Sequence, residues 1–476
     1  MPEIESWRSS LLSTLFLLLL LQGYAAVAES PLRDPTVIQL SVENVGTTVI
    51  GHLGAETLFL TQGYVQVDNE KFPALECRNS LGRLKWKIRG EKPDYYCGEY
   101  LQWIEPTDSE PLVLWTYFPN PQGGEGLHNE GGLYRVRDGI QVHQFPKASN
   151  NASFPIETPE GSVDLIFSGQ KFVQRIDLRS FKPKWEYNDR ILFCWGYPTL
   201  VPGLDGGAPG IVWGSEYNLP DGKSSSAVAI DLEGKEIWKF DGVQEDIGST
   251  PFFPVDVDSD GSLELVKNGL DLCGKNQLPS NHLFVFSLKG ELLRKLPSMM
   301  YSNGLADLDE DGHIEAFGVV SHRDGGTEAL KRREIRCVDL VTGDLEWTVP
   351  VPRVGLPAAN ALAADVNGDG RLEALIADGN PFFYGHLEGP NWGSLYVVGG
   401  EGNLIQTYEF PAWARRLAMC DWDMDGKNEL MVQVDGAPAK LYLFDTSAPA
   451  TITDWHMPFG NLGHWGAEHQ DQGVLQ

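Results

Sequence analysis

The sequence predicts an all-β fold: a single β-propeller, with eight blades preferred and seven as the alternative, each blade a four-stranded antiparallel sheet. Three observations predict it. An acidic nonapeptide recurs four times, at intervals of 51, 58 and 56 residues. Between its copies runs a second repeat, two apolar strands joined by a Gly-containing turn and often closed by Trp. No segment offers a long amphipathic helix, while Gly 52, Pro 30 and 11% aromatics supply many turns between packed strands.

The chain opens on an apolar run, Leu11 to Leu21, followed by Gln22, Gly23 and then Ala26-Val27-Ala28 before Glu29. A short apolar core followed by an A-x-A site reads as a secretory signal cleaved after Ala28. The segment ahead of the core carries Glu3 and Glu5 against Arg8 and is not clearly positive. The alternative is an uncleaved anchor, but the run is shorter than the ~20 residues a spanning helix needs. The expected organisation is a signal at 1–28, a propeller over 29–455 and a tail over 456–476. The expected location is secreted, extracellular or periplasmic.

Pro31 to Thr48 is expected to supply a strand that helps close the ring. The next units carry worn forms of the acidic loop. Gly51 to Leu60, Thr107 to Leu114 and Glu157 to Ile166 stand in its place ahead of a hydrophobic strand, and Gly203-Leu-Asp205-Gly206-Gly-Ala-Pro-Gly-Ile211-Val212 is an abridged copy. Hairpin repeats follow each: Leu75 to Trp86, Leu133 to Phe145, Phe172 to Trp185, Val228 to Trp238, Leu283 to Leu293, Val338 to Trp347, Leu395 to Ile405 and Leu441 to Trp455. A Gly in a short loop between alternating strands favours a tight reversal. The whole makes eight units of about 51 residues over Val49 to Trp455, the length of four short strands and so of one blade.

The full acidic loops occupy units five to eight. Their candidate side-chain ligands are Asp256, Asp258, Asp260 and Glu264; Asp307, Asp309, Asp311 and Glu315; Asp365, Asn367, Asp369 and Glu373; and Asp421, Asp423, Asp425 and Glu429. Alternate oxygens at positions 1, 3 and 5 of a curling loop converge. Gly at position 6 permits the sharp turn, and Glu at position 9 completes the set. Position 7 (Ser262, His313, Arg371, Lys427) would offer only its carbonyl, so its side chain varies freely. A hard cation that takes six to eight oxygens, Ca²⁺, fits this donor set. Four copies in register favour about four calcium ions over solvated turns. An EF-hand is excluded, because its Glu stands at position 12 and helices flank its loop.

These loops resemble the FG-GAP/VCBS repeats of integrin-type β-propellers, with the pattern D-x-D-x-D-G-x-x-D/E. The resemblance is carried by about Asp256 to Asp435 and is only positional before that. It implies one structural Ca²⁺ per repeat, bracing the junction between strands of a blade. The Ile-Asp-Leu-x-Gly-x-x-x-Trp hairpins also resemble blades of quinoprotein-type propellers, which supports the fold rather than a cofactor.

With 66 Asp+Glu against 37 Lys+Arg the chain carries −29, which argues against nucleic acid or an anionic membrane as partner. With 42% hydrophobic and 22% charged residues it is too apolar for a disordered acidic chain. Fifteen of the 66 acids stand at the candidate ligand positions, so part of this charge reads as coordination chemistry. The six cysteines (Cys77, Cys97, Cys194, Cys273, Cys337, Cys420) show no zinc spacing. Cys77 and Cys97 are the nearest pair and the candidate disulfide, with small buried strand residues as the other reading.

There is no G-x-S-x-G, HExxH or phosphate loop. The adjacent Cys-Cys pair often carried by quinone dehydrogenases is absent as well. Rhamnogalacturonan lyases on eight-bladed calcium propellers are resembled only through the acidic loops, and no base is assignable. Tyr217, Lys223, His282, His322, Arg323 and Tyr384 read as surface loop residues rather than catalysts. In the tail, His456, His464 and His469 near Glu468 and Asp471 match no metal spacing. Trp213, Tyr217, Phe382, Phe383, Tyr384 and Trp392 are read mostly as core, with a stacking surface as the alternative. Asn151-Ala-Ser153 is a glycosylation sequon.

The expected function is a secreted, calcium-binding propeller acting as a binding or adhesion module, with an extracellular protein or glycan as ligand. The alternative is a polysaccharide lyase or hydrolase on the same scaffold, which should show clustered basic and aromatic residues on one face.

Overall fold

In a computed structural model of the chain, the described residues are 31–43, 48–93, 95–97, 101–106, 110–119, 130–145, 153–158, 161–168, 172–188, 198–216, 225–243, 251–269, 282–297, 304–321, 333–353, 360–379 and 392–450. They form eight antiparallel sheets and no helix. Within seven of the sheets the strands follow one another in chain order; the eighth takes its outer strand from near the start of the sequence. First strands of neighbouring blades touch, as Gly304–Ala306 does with Asn360–Ala364, and Asn360–Ala364 with Ala414–Cys420. They therefore line the axis, and later strands lie progressively outward.

Blade one comprises Thr48–Leu53, Glu56–Val67, Glu70–Asn79 and Leu84–Arg89. Blade two has an inner strand in two pieces, Tyr95–Cys97 and Gln102–Ile104, both paired with Leu112–Pro119, then Glu130–Arg135 and Gln141–Phe145. Blade three holds Phe154–Glu157, Val163–Ser168, Val173–Asp177 and Lys182–Tyr187. Blade four holds Thr199–Gly203, Gly207–Glu216, Ser225–Asp231 and Glu236–Val243. Blades five and six run Phe252–Val255, Glu264–Gly269, His282–Ser287, Leu292–Pro297 and Gly304–Ala306, Glu315–Ser321, Arg333–Asp339, Leu345–Val351. Blade seven is Asn360–Ala364, Glu373–Gly379, Gly393–Gly399 and Leu404–Phe410.

Blade eight corrects one expectation. Its first three strands are Ala414–Cys420, Lys427–Val434 and Lys440–Pro449, but its outermost strand is Thr36–Gln39. The hairpin expected over Leu441 to Trp455 is replaced by pairing across the two ends of the chain, with Val37 opposite Tyr442 and Ile38 opposite Leu441. The closing strand predicted within Pro31 to Thr48 is therefore present, and it removes an open edge from the ring. Buried Glu76 of blade one secures the chain just beyond it. Ser41 N and Oγ donate to this carboxylate, and Arg78 Nε donates to it from the other side at 2.7 Å.

The middle strands are buried on both faces, which is why Leu265-Val266 and Ala374-Leu-Ile-Ala377 read as near-continuous apolar runs. The core lies between blades. Phe284 and Phe286 of blade five pack with Val212 and Ala229 of blade four, and Trp213 packs with Tyr187 and Ile166 of blade three.

The Trp-closed hairpin has a structural explanation. Trp86, Trp185 and Trp238 each donate the indole N–H to a carbonyl of the next blade's hairpin: Val136 at 2.7 Å, Leu232 at 2.7 Å and Leu288 at 2.8 Å. Under the ring lies the hairpin glycine of that next blade. A Cβ on Gly234 would stand 2.8 Å from Trp185, and its φ of +85° suits glycine alone. The repeated Gly and Trp are thus two halves of a blade-to-blade joint. Cys77 is a free, buried thiol opposite Trp86, and the Cys77–Cys97 disulfide does not form. It fills the small space beneath the indole, as Cys337 does opposite Trp347.

Candidate metal centres

The four acidic loops join the first and second strands of blades five to eight and so share one face of the ring. Their backbones are near copies. Position 4 is left-handed in all (Ser259 56°, Glu310 65°, Gly368 79°, Met424 63°), and so is the glycine at position 6 (Gly261 86°, Gly312 89°, Gly370 90°, Gly426 87°). A left-handed residue at position 4 costs a side chain free energy, so three of the four loops hold a strained conformation that the loop's own hydrogen bonds sustain.

Those bonds repeat. The position-1 carboxylate accepts from the N–H of residue 5 and of Gly at 6: Asp256 from Asp260 (3.1 Å) and Gly261 (2.8 Å), Asp307 from Asp311 (3.1 Å) and Gly312 (3.0 Å). Asp365 and Asp421 do the same. Position 5 accepts from the N–H of residue 7. The glutamate at position 9 stands at the start of the second strand, or two residues in for Glu429, and accepts, through Oε2, from the N–H of residue 2: Glu264 from Val257 (3.1 Å), Glu315 from Leu308 (2.6 Å), Glu373 from Val366 (2.9 Å) and Glu429 from Trp422 (2.5 Å).

Loop two gathers all four expected residues; loops one and four gather their three aspartates without Glu264 or Glu429, and loop three gathers no such cluster. One carboxylate oxygen from each of Asp307, Asp309, Asp311 and Glu315 lies within 4.8 Å of the others; the same holds for Asp256, Asp258 and Asp260, and for Asp421, Asp423 and Asp425. Loop three differs because Asn367 turns its Nδ2 inward, donating to Glu373 Oε1 at 2.6 Å and Asp369 Oδ2 at 3.2 Å. An ion there requires the amide to present Oδ1 instead.

Four acids this close should repel, and burial adds to the cost of charge. Burial, followed by the charges of neighbouring acids, pushes Glu315 up to about 9 and Glu373 and Glu429 up to about 7, and raises Glu264 and Asp307. Glu315 is 0% exposed, and its Oε1 makes no hydrogen bond. A buried oxygen without a partner is costly. The Glu315 carboxylate is gathered with three aspartates, so a cation is the partner its chemistry calls for. The donor set is all oxygen and fits Ca²⁺ better than a metal preferring nitrogen or sulfur.

Two neighbours of loop two were not legible as site residues. His313 at position 7 donates through Nδ1 to Asp339 Oδ2 at 3.1 Å, which turns its ring toward the adjacent hairpin. Glu346, on the outer strand of blade six, adds its charge to the field at Glu315. Asp339 is recognisable only as a turn aspartate, accepting from the N–H of Val341 and Thr342.

In blades one and four the corresponding connections are tight reversals. Gly54 turns blade one, and Gly206-Gly207 turns blade four with Asp205 and Ala208 paired backbone to backbone. In these two blades the worn copies hold the expected place with the ligands gone.

The opposite face carries arginines and lysines laid on aromatic rings: Arg353 and Arg333 over Trp392, Arg415 over Trp413, and Arg89 over Phe72. Trp392 and Trp413 are buried beneath these cations, and Arg333 is held bidentately by Asp378. The rings therefore cap blade interfaces and, among the described residues, form no open stacking surface. Trp213 is likewise core. His282 begins the third strand of blade five. Tyr217, Lys223, His322, Arg323, Phe382, Phe383, Tyr384, the Asn151 sequon, the signal segment and the tail histidines lie outside the described residues.

No family model matches the chain, and no curated protein matches it. Among solved structures it is similar to BamB from Moraxella catarrhalis, at 15% identity and TM-score 0.49 over 87% of this chain and 98% of that one. It is also similar to a rhamnogalacturonan lyase from Bacillus licheniformis, at 12% identity and TM-score 0.42 over 87% and 91%. Likenesses at this level concern the fold alone.

Proposed function

We propose that this chain is an exported propeller that binds Ca²⁺ in the loops of blades five to eight and serves as a binding module for an extracellular protein or glycan. The observation that carries the calcium reading is the buried Glu315, whose Oε1 makes no hydrogen bond and whose carboxylate is gathered with Asp307, Asp309 and Asp311. The metal's role is structural: it offsets the repulsion of crowded carboxylates and ties the inner strand of each blade to the next. The exported state rests on the Leu11 to Ala28 segment, and the binding role on the absence of a recognisable catalytic motif.

The test is elemental analysis of calcium-equilibrated protein together with melting curves in calcium and in chelator. About four ions per chain are expected. At tenfold excess over Kd each ion adds about 1.4 kcal/mol, together a shift of several degrees for a domain of this size. No bound calcium and no shift would overturn the reading. Incubation with acidic and neutral polysaccharides should release no unsaturated or reducing ends; release would replace the binding role with an enzymatic one.

A further inference from the structure

Loops one and two are joined to each other in a way the other loops are not. Ser259 Oγ, at position 4 of loop one, donates to Gly312 O of loop two at 2.6 Å. The N–H of Ile314 in loop two donates to Val257 O of loop one at 3.0 Å. These contacts bracket His313, the position-7 residue.

The second contact has a chemical consequence. The His313–Ile314 peptide owns both the carbonyl that position 7 would offer to an ion and the N–H that reaches Val257 O. The Val257 N–H in turn donates to Glu264 Oε2, a ligand of loop one. An ion drawing electron density from the His313 carbonyl makes the Ile314 N–H a stronger donor. The carbonyl of Val257 is thereby fixed, and the residue that positions Glu264 is fixed with it. Hydrogen bonds in such a chain polarise one another.

The other loops have different neighbours. Position 4 is Glu310, Gly368 and Met424 in loops two, three and four; of these, neither glycine, methionine nor an ionised glutamate can donate from its side chain as Ser259 does. Val366 O of loop three accepts from Ser447 N, on the third strand of blade eight, and not from loop four. Leu308 O of loop two is covered by Gly400, in the hairpin of blade seven.

We propose that the sites of blades five and six bind Ca²⁺ as a positively coupled pair, joined by the Ile314–Val257 backbone bond that the Ser259 hydroxyl holds in place through its bond to Gly312 O, while those of blades seven and eight bind independently. This rests on the calcium reading above, for which loop two supplies the buried Glu315, gathered with its three aspartates and with an Oε1 that makes no hydrogen bond. Coupling at the low end of the usual range is about five-fold.

The test is calorimetric Ca²⁺ titration of the full chain carrying Asp369→Ala and Asp425→Ala, which silence loops three and four through exposed side chains. Two ions are expected, with a Hill coefficient of about 1.4 for five-fold coupling between sites of equal intrinsic strength. Adding Ser259→Ala should keep both ions and bring the coefficient toward 1. The mirror protein, Asp260→Ala with Asp311→Ala, should bind two ions with a coefficient of 1. Two ions bound independently in the first protein, or a coefficient unmoved by Ser259→Ala, would overturn the coupling and leave the calcium reading standing. No bound ion in either protein would overturn both. If the silenced proteins do not fold, wild type against Ser259→Ala decides: a cooperative phase present in one and lost in the other supports the link, and identical isotherms refute it.

Discussion

Glu315 shows what one residue can demand of its surroundings. Its carboxyl is pushed up to about 9 from 4.5, and Glu373 and Glu429 rise to about 7. A carboxyl whose folded pKa exceeds its unfolded value contributes stability that is fully present below the unfolded value. That stability is lost as pH rises through the folded value. The chelated protein should therefore lose stability from pH 4.5 to about 9, while the calcium-loaded protein should be flatter because the ion replaces the protons. Melting curves across that range check this; a chelated profile that is flat or rises with pH would count against it. The same shifts require proton release on binding at pH 7, measurable by calorimetry in buffers of different ionisation enthalpy. Glu315→Gln keeps the acceptor for Leu308 N and removes the buried charge. In chelator it should melt at or above wild type, and it should lose the part of the calcium-induced shift that belongs to loop two.

At the scale of the element, the blade-to-blade joint explains why a short sequence motif recurs with so little else in common. Gly234→Ala places a methyl against Trp185 at a φ of +85°. It should cost about 1–3 kcal/mol in denaturant unfolding, whereas alanine at Gly161, open on all sides despite its φ of +72°, should cost only the backbone strain. Equal losses at the two positions would show that the indole contact contributes nothing. These hairpins and the acidic loops were legible because each is a local device: ligand spacing, turn glycine and capping tryptophan lie within a dozen residues. The divided inner strand of blade two and the hydrogen bond from Ser259 to Gly312 were not. They depend on which residues the ring brings together, and no local pattern records that. The Cys77–Cys97 pairing failed for the same reason. Nearness in sequence suggested a bond, while the register placed Cys77 beneath Trp86.

For the whole molecule, the acidic loops divide the ring into two arcs. Blades five to eight carry the acidic loops on one face, whereas blades one and four close the same positions with short glycine turns. Chelation should therefore act unevenly. Hydrogen exchange in chelator should rise first in the strands flanking the acidic loops, from Phe252–Val255 through Lys427–Val434, with blades one to four little changed. A uniform rise around the ring would mean that the propeller opens as one body and the loops brace no particular arc. The two repeats favour eight units, and a closing strand is expected within Pro31 to Thr48, but its partner across the seam, in blade eight, was not legible, because the four residues of Thr36–Gln39 carry no repeat of their own. That seam sets a schedule. During synthesis Thr36–Gln39 emerges early, and its partner, Lys440–Pro449, some four hundred residues later. Every blade between them can pair internally as it appears, but none offers this strand its edge. The ring is consequently finished only once Lys440–Pro449 is present, and until then the protein carries two unmated strand edges that a second copy could occupy.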